Sequence, residues 1–284
     1  MRFLAALLFW LVTTVLLAAA VPVSWAQNNV VSEDGYAALA ATAAQNPRLQ
    51  QAMASELTTQ ITELAADNGY ALNNAELVRG VTGAYTANSG FPGQFAQANR
   101  IAHRWMFTDS VARDQDSGDR WLVDIAPMLS DDSLRQTLGN LNLDVPDTLM
   151  VPITVPENSS LRPGQLKALS TWGPWVSIGA CVLAGVFALL TVATARSRGK
   201  ALAALGVSAL LVGAAGWAGL ELGRRYIDDA LNRTTGDIRQ VAEVMVNTAE
   251  GSLHQWLNLT LAAGGVLVVS GIFASMLGGL LRSD

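Results

Sequence analysis

The chain has 284 residues, 51% of them hydrophobic and only 14% charged, with a formal net charge of −5. A soluble domain carries about a quarter charged residues, whereas here the charges crowd into the middle and nearly vanish from four long windows, which excludes an ordinary soluble chain and indicates a membrane protein. One cysteine, Cys181, excludes an intrachain disulfide, and with only two histidines beside it an N/S-ligated zinc or iron–sulfur site has almost no ligands to draw on.

The first apolar window, Phe3–Val21, follows a lone Arg2 and approaches the roughly 20 residues an α-helix needs to cross a bilayer. Ser24 and Ala26 occupy the small-residue positions of a signal-peptidase site, so residues 1–26 read as a signal peptide cleaved after Ala26 or as a retained signal anchor. The anchor is favoured, because the apolar run exceeds the roughly 7–15 residues of a usual signal core and one arginine is a thin leader. Residues 27–171 are exported in either case.

The exported stretch is acidic: residues 28–171 hold nine basic and sixteen acidic side chains, a balance near −7. That opposes docking on nucleic acid, or on anionic lipid through a basic patch. Its pattern is mostly helical. Ser32 is an N-cap, Asn46-Pro47 separates two helices, and Asn68-Gly69 ends the second. In that second helix Leu49, Met53, Leu57, Ile61 and Leu64 recur at three or four and form one apolar stripe. A third helix over "NNAELVRGVTGAYTAN" is capped by Asn73 or Asn74, and a fourth over "FPGQFAQANRIAHRWMF" has Pro92 in its first turn, where a missing N–H costs nothing. A polar loop, "TDSVARDQDSGDR", precedes "WLVDI", a short strand candidate. A further short helix, "DDSLRQTLGNL", follows, and "DTLMVPITV" is a candidate partner strand in a two-stranded β ribbon. "PENSSLRPG" reads as a linker.

The remaining windows are 172–195, 201–220 and 256–281, none with a charged residue, and all three read as transmembrane helices. The tight connection Arg196–Lys200 carries three cations and no acid, which sets it on the cytoplasmic side, and Arg2 and Arg282 agree. Trp25, Trp172, Trp175, Trp217 and Trp256 then fall at or near the outer ends, as interfacial aromatics do. Both termini are therefore expected in the cytoplasm, with residues 27–171 and 222–255 outside. The outer excursion 222–255 includes an amphipathic stripe, Ile238, Val241, Met245, Ala249, Leu253 and Trp256. That stripe must bury itself against the exported domain, the membrane surface or another protein.

Two stretches carry a resemblance. In "EDGYAALAATAAQNPRLQQAMA" the residues Asp34, Tyr36, Pro47, Gln50, Ala52 and Ala54, and in "FPGQFAQANRIAH" the residues Phe91, Ala98, Asn99, Arg100, Ala102 and His103, match the motifs of a family of actinobacterial integral membrane proteins without an assigned function, which this chain resembles. Asn46 stands where that family has Asp, Thr42 where it has Pro and Phe95 where it has Trp. The likeness covers the whole length in layout and two short motifs in detail. It implies a membrane helix, a helical exported domain and three further membrane helices, and no activity.

Candidate chemistry is sparse. Asn99 and His103 lie one turn apart on a helix, as do Arg100 and Arg104. A histidine serves as a general base only with a nucleophile or an orienting acid, and neither G-x-S-x-G nor H-E-x-x-H occurs in the sequence. Asn99, Arg100 and His103 therefore read as a polar packing cluster that ties this helix to the polar loop or to Asp34. The turn Asp114–Asp119 departs from the EF-hand order at its fifth, sixth and twelfth positions, which fall on Gly118, Asp119 and Ile125, and reads as a solvated acidic turn. Inside the apolar windows no ionisable group suggests a transport path. Glu221 sits at an outer edge, within helical reach of Arg224 and Arg225. Two small-residue ridges, Ala215, Gly219, Gly223 and Ser270, Ala274, Gly278, suit close helix packing within this chain or with a partner.

The expected fold class is a mostly α membrane protein: four transmembrane helices and a helical extracytoplasmic domain with a two-stranded ribbon. The expected function is non-catalytic, an envelope protein whose exported domain binds a membrane or envelope partner as an accessory subunit. It needs no cofactor or metal, and its surroundings are the lipid bilayer. Lipid or small-molecule handling by the exported domain is the alternative, and a transporter or enzyme the third reading.

Overall fold

A computed structural model of the chain describes residues 2–67, 75–108, 121–124, 150–153, 164–232 and 236–280. Its first helix, α1 (Arg2–Ala26), tolerates Pro22 and widens into a π turn at Gln27–Val31. Ser32 then caps α2 (Glu33–Ala43): its hydroxyl accepts the N–H of Gly35 at 3.4 Å, and Glu33 and Asp34 place negative charge in the first turn, where the helix dipole favours it. The break at Asn46-Pro47 is where the sequence sets it. The Asn46 side chain accepts the N–H of Arg48 at 2.9 Å and opens α3 (Pro47–Asp67). Next come α4 (Ala75–Thr86) and α5 (Phe91–Phe107), the latter with Pro92 in its first turn.

Strands β1 (Trp121–Asp124) and β2 (Met150–Ile153) run antiparallel, Trp121 opposite Ile153. Three long helices follow: α6 (Lys167–Thr194), α7 (Arg198–Leu231) and α8 (Gly236–Leu280). The acidic turn Asp114–Asp119, the expected helix "DDSLRQTLGNL", the stop at Gly69, the caps Asn73 and Asn74 and the linker from Pro156 to Pro163 lie outside the described residues.

Four helices among the described residues are long and apolar enough to cross a membrane: Phe3–Val31, Lys167–Thr194, Arg198–Asp229 and Gly236–Leu277. The chain is a mostly helical membrane protein by that measure. The range 222–255, expected to be helical, is carried by the ends of two long helices: α7 continues to Leu231 and α8 runs unbroken from Gly236. Hydropathy falls where a helix leaves hydrocarbon, but the i to i−4 hydrogen bonds continue as long as the backbone permits. Gly236, at a φ of +69°, supplies the left-handed residue that starts the second helix.

The chain divides into two compact units, residues 1–30, 171–228 and 250–284 in the first, and 31–170 with 229–249 in the second. The second unit is built on Ala40, Ala43, Ala44, Leu49, Tyr85, Phe91, Phe95 and Val244, with Met53, Leu57, Val241 and Met245 packed against them. The alanines of α2 let the α5 aromatics approach: Tyr85 meets Phe91 edge-on at 5.7 Å, and Phe91 meets Phe95 at 5.8 Å. The α3 stripe is buried at Leu49 and fades to exposure at Ile61, and the hydroxyls of Thr58 and Thr82 join α3 to α4 at 2.8 Å. The amphipathic stripe of α8 thus meets this core through Val241 and Met245, and Val244, off the stripe, is buried beside them. The end of α5 is closed by later backbone. The N–H groups of Gly164 and Leu166 donate to the carbonyls of Trp105 and Met106 at 2.9 and 3.0 Å, and the Ser170 hydroxyl donates to that of Phe107 at 3.0 Å.

In the first unit α7 and α8 approach backbone to backbone, antiparallel. A Cβ on Gly206 would stand 2.6 Å from the carbonyl oxygen of Gly264 and from the nitrogen of Val268, and one on Gly271 would stand 2.4 Å from the nitrogen of Ala203. Gly199, Gly206 and Gly213 recur every seven residues and face Gly271, Gly264 and Leu261 in reverse order, the two-turn repeat of helices packed along a seam. Helix α1 joins them through Trp10, whose Nε1 donates to the carbonyl of Ala204 at 2.8 Å, and through the Thr14 and Ser208 hydroxyls at 2.7 Å. Ser24 touches α6 at Cys181, 3.2 Å away, and Trp25 Nε1 donates to Ser252 of α8 at 3.2 Å.

Candidate functional site

The cluster singled out by sequence lies where α5 packs on the first turn of α2. Arg100 donates through Nη1 to Asp34 and stands 3.7 Å from Glu33. One turn on, Arg104 donates Nε and Nη2 to the same Glu33 oxygen at 2.9 and 2.8 Å. Two guanidiniums on one face of α5 therefore meet two adjacent carboxylates at the start of α2, a clasp made of charge-assisted hydrogen bonds. His103 turns inward and is 5% exposed. Its ring stacks on Phe107 with centroids 4.1 Å apart and planes 8° from parallel, and it faces Tyr36 at 5.4 Å. Asn99 donates to the carbonyl of Phe95, one turn back in its own helix.

The electrostatics follow from this geometry. The hydrogen bond from Arg104, with the charges of Arg104, Arg100 and His103 behind it, holds the Glu33 carboxyl below its ordinary value of 4.5, against a smaller opposing effect of burial. The same bond raises Arg104, and burial raises the Tyr36 hydroxyl. Glu33 is thus a better acid folded than unfolded, and its contribution to stability is present above about pH 4.5 and disappears as pH falls through its lowered folded value. Glu33 and Arg104 are 32% and 49% exposed, so the pair contributes about 1 kcal/mol at most. The Arg104→Gln variant is expected to melt a few degrees below the wild type at neutral pH. The two should converge once pH falls below the lowered folded value of Glu33. Melting curves of the full chain in detergent across that range check this, and a gap that persisted in acid would assign the loss to packing instead of charge.

Sequence reasoning offered Asp34 or the polar loop, which lies outside the described residues, as the anchor and missed Glu33, which takes both bonds from Arg104. The signal was present: "SED" sets a second acid, Glu33, directly beside Asp34, and Arg100 has a second arginine, Arg104, one turn along the same helix.

The predicted ridges of the first unit point elsewhere. Ala215, Gly219, Ser270 and Ala274 are exposed, and a Cβ on Gly219 or Gly223 would meet nothing within 4 Å; the side of Gly278 is outside the described residues. Close approach within the chain falls to the seven-residue set Gly199, Gly206, Gly213 with Gly264 and Gly271, which a search at spacing four passes over. Beyond that seam lies a polar rung. Trp217 stacks on His254 at 3.9 Å and its Nε1 donates to Asn258 at 3.2 Å. Arg224 stands 3.9 Å from Glu250 of α8, an acid on the facing helix, whereas no ion pair to the nearer-in-sequence Glu221 forms among the described residues. One Glu250 oxygen is buried without a hydrogen-bond donor there.

Chemically, the α2–α5 clasp can hold two helices in register, since its guanidiniums are engaged by carboxylates and its histidine is stacked between aromatic rings. Among the described residues no three His, Cys, Asp or Glu side chains gather as a metal-binding group. Searches against family models, curated proteins and solved structures return no match to this chain.

Proposed function

We propose that this chain is a non-catalytic cell-envelope membrane protein, with the layout of the actinobacterial family it resembles, whose extracytoplasmic helical unit engages a membrane or envelope protein as an accessory subunit. The observation that carries this reading is the use made, among the described residues, of the polar cluster that the sequence singles out. Arg100 and Arg104 are spent on Asp34 and Glu33, and His103 on Phe107 and Tyr36, in a clasp that shapes a surface.

The orientation proposed places both termini and the Arg196–Lys200 connection in the cytoplasm, following the cation bias of short loops. The first helix is proposed to stay attached as an anchor. Its contacts support this: Trp10 and Thr14 hold α7, Ser24 touches α6 and Trp25 holds α8, so removal of residues 1–26 would leave their partners open.

The test is affinity purification from gently solubilised native membranes through a tag after Asp284, with mass spectrometry of everything retained. A stoichiometric set of membrane or envelope proteins is expected, together with a chain whose mass includes residues 1–26. A chain recovered alone would overturn the subunit reading, and a mass lacking those residues would overturn the anchor.

A further inference from the structure

We infer that the helices leave the first unit through a hinge, bending at the π turn after α1, at Pro174 of α6 and at Gly251–Ser252 of α8, so that the angle between the two units varies. The chain passes between the units at Val30–Val31, Ser170–Thr171, Asp228–Asp229 and Ala249–Glu250. Sharp bends in helices have few causes: a proline, a Gly/Ser pair or a π turn. One of each stands at three of these passages. The first helix widens into its π turn at Gln27–Val31. Pro174 has no N–H to give to the carbonyl of Ser170, so α6 lacks the helical bond that would span its passage. Helix α8 carries Gly251 and Ser252 directly after its own passage, and α7 ends at Leu231, just beyond the fourth.

Contacts inside the first unit set the three bend points on one level. The Ser177 hydroxyl donates to that of Ser24 at 3.2 Å, and Pro174 and Gln27 each lie about one helical turn from that contact, toward the passage on their own helix. Trp25 Nε1 donates to the Ser252 hydroxyl at 3.2 Å, which donates to the side-chain oxygen of Asn29 at 3.4 Å, and Trp25 and Asn29 bracket Gln27. Bends that share a layer act together, whereas bends at scattered heights oppose one another. Packing agrees with this division. Farther along α8 the glycines are pressed against α7, with a Cβ on Gly264 only 2.9 Å from the carbonyl oxygen of Gly206. A Cβ on Gly251 would meet nothing within 4 Å. No close approach therefore accounts for a residue that costs a helix about 1 kcal/mol relative to alanine. Arg224 and Glu250, beside it, stand 3.9 Å apart, beyond hydrogen-bond distance, and bind α7 to α8 only loosely there.

The experiment uses the full chain in lipid nanodiscs on a Cys181→Ser background, with pairs of spin labels read by double electron–electron resonance. A bend of about 20° at Gly251 carries Gly236, about 22 Å away along α8, through about 8 Å. The pair Ser89→Cys and Ala218→Cys, one exposed site in each unit, is therefore expected to give a distance distribution about 8 Å broader than the pair Ser55→Cys and Ser89→Cys, both in the second unit. Pro174→Ala restores a donor to the Ser170 carbonyl, and Gly251→Ala removes the freedom of glycine. Each should narrow the broad distribution, and together they should bring it to the width of the within-unit pair, because two straight helices suffice to hold the angle. Either variant alone carries the test if the other does not fold. Gly179→Ala, also in open space but inside the first unit, should leave the width unchanged. A wild-type distribution as narrow as that of the within-unit pair would overturn the hinge. A broad one that neither Pro174→Ala nor Gly251→Ala narrows would overturn its placement at these residues.

Discussion

Replacing Val244 by aspartate is expected to unfold the second unit while the nearby change Ile238→Asp leaves it intact. Val244 is 5% exposed and belongs to the cluster of Ala40, Ala43, Leu49, Tyr85, Phe91 and Phe95. A carboxylate there loses its water and gains no cation, which costs about 3–5 kcal/mol, a large share of the total stability of a small domain. Ile238 lies on the same helix but is 48% exposed, so a charge there keeps its hydration and should cost no more than about 0.5 kcal/mol. Hydrogen exchange of the full chain in detergent reads the difference. Protection in α2 through α5 should fall at least about 100-fold in Val244→Asp and stay within a few-fold of wild type in Ile238→Asp. Equal protection in both variants would remove residues 229–249 from this core.

The second large effect is expected at the α7–α8 seam. A Cβ on Gly206 would lie 2.6 Å from the backbone of both Gly264 and Val268, and backbone cannot rotate away as a side chain can. The helices must separate over that turn and lose the contacts on either side, so Gly206→Leu is expected to cost about 3 kcal/mol, at the upper end for an overpacked interior. Gly219→Leu, with nothing within 4 Å of its added Cβ, should cost less than about 0.5 kcal/mol. Thermal unfolding of both variants in the same detergent decides between the two glycine sets. If Gly219→Leu proved the more damaging, the ridge read at spacing four would be the packing surface.

These two sites show where sequence reading succeeds and where it stops. Charge-free windows, the Asn46-Pro47 break and the placement of Pro92 are local signals with local causes, and helices appear in those places. The extent of α7 and α8 was hidden because a polar stretch after an apolar one marks the limit of hydrocarbon, a solvent boundary that the helical backbone ignores. The seam was hidden because twenty-five glycines admit several periodicities, and only the facing helix reveals which repeat is pressed against backbone. In the clasp, Arg100, Arg104 and Asp34 stood out in the sequence, while Glu33 emerged once the pitch of α5 was set against the first turn of α2.

The proposal that the second unit is displayed outside the cell, on helices that cross the membrane, meets its most direct test in cysteine labelling. Cys181 is the chain's only cysteine, so Cys181→Ser provides a blank background into which Ser89→Cys, in the exposed turn before α5, and Ser197→Cys, in the short connection after α6, are introduced singly. A membrane-impermeant maleimide added to intact cells is expected to label Ser89→Cys, and to label Ser197→Cys only after the membrane is opened. Labelling of Ser197→Cys in intact cells with Ser89→Cys protected would invert the orientation, and equal labelling of both before and after opening would contradict a membrane lying between them.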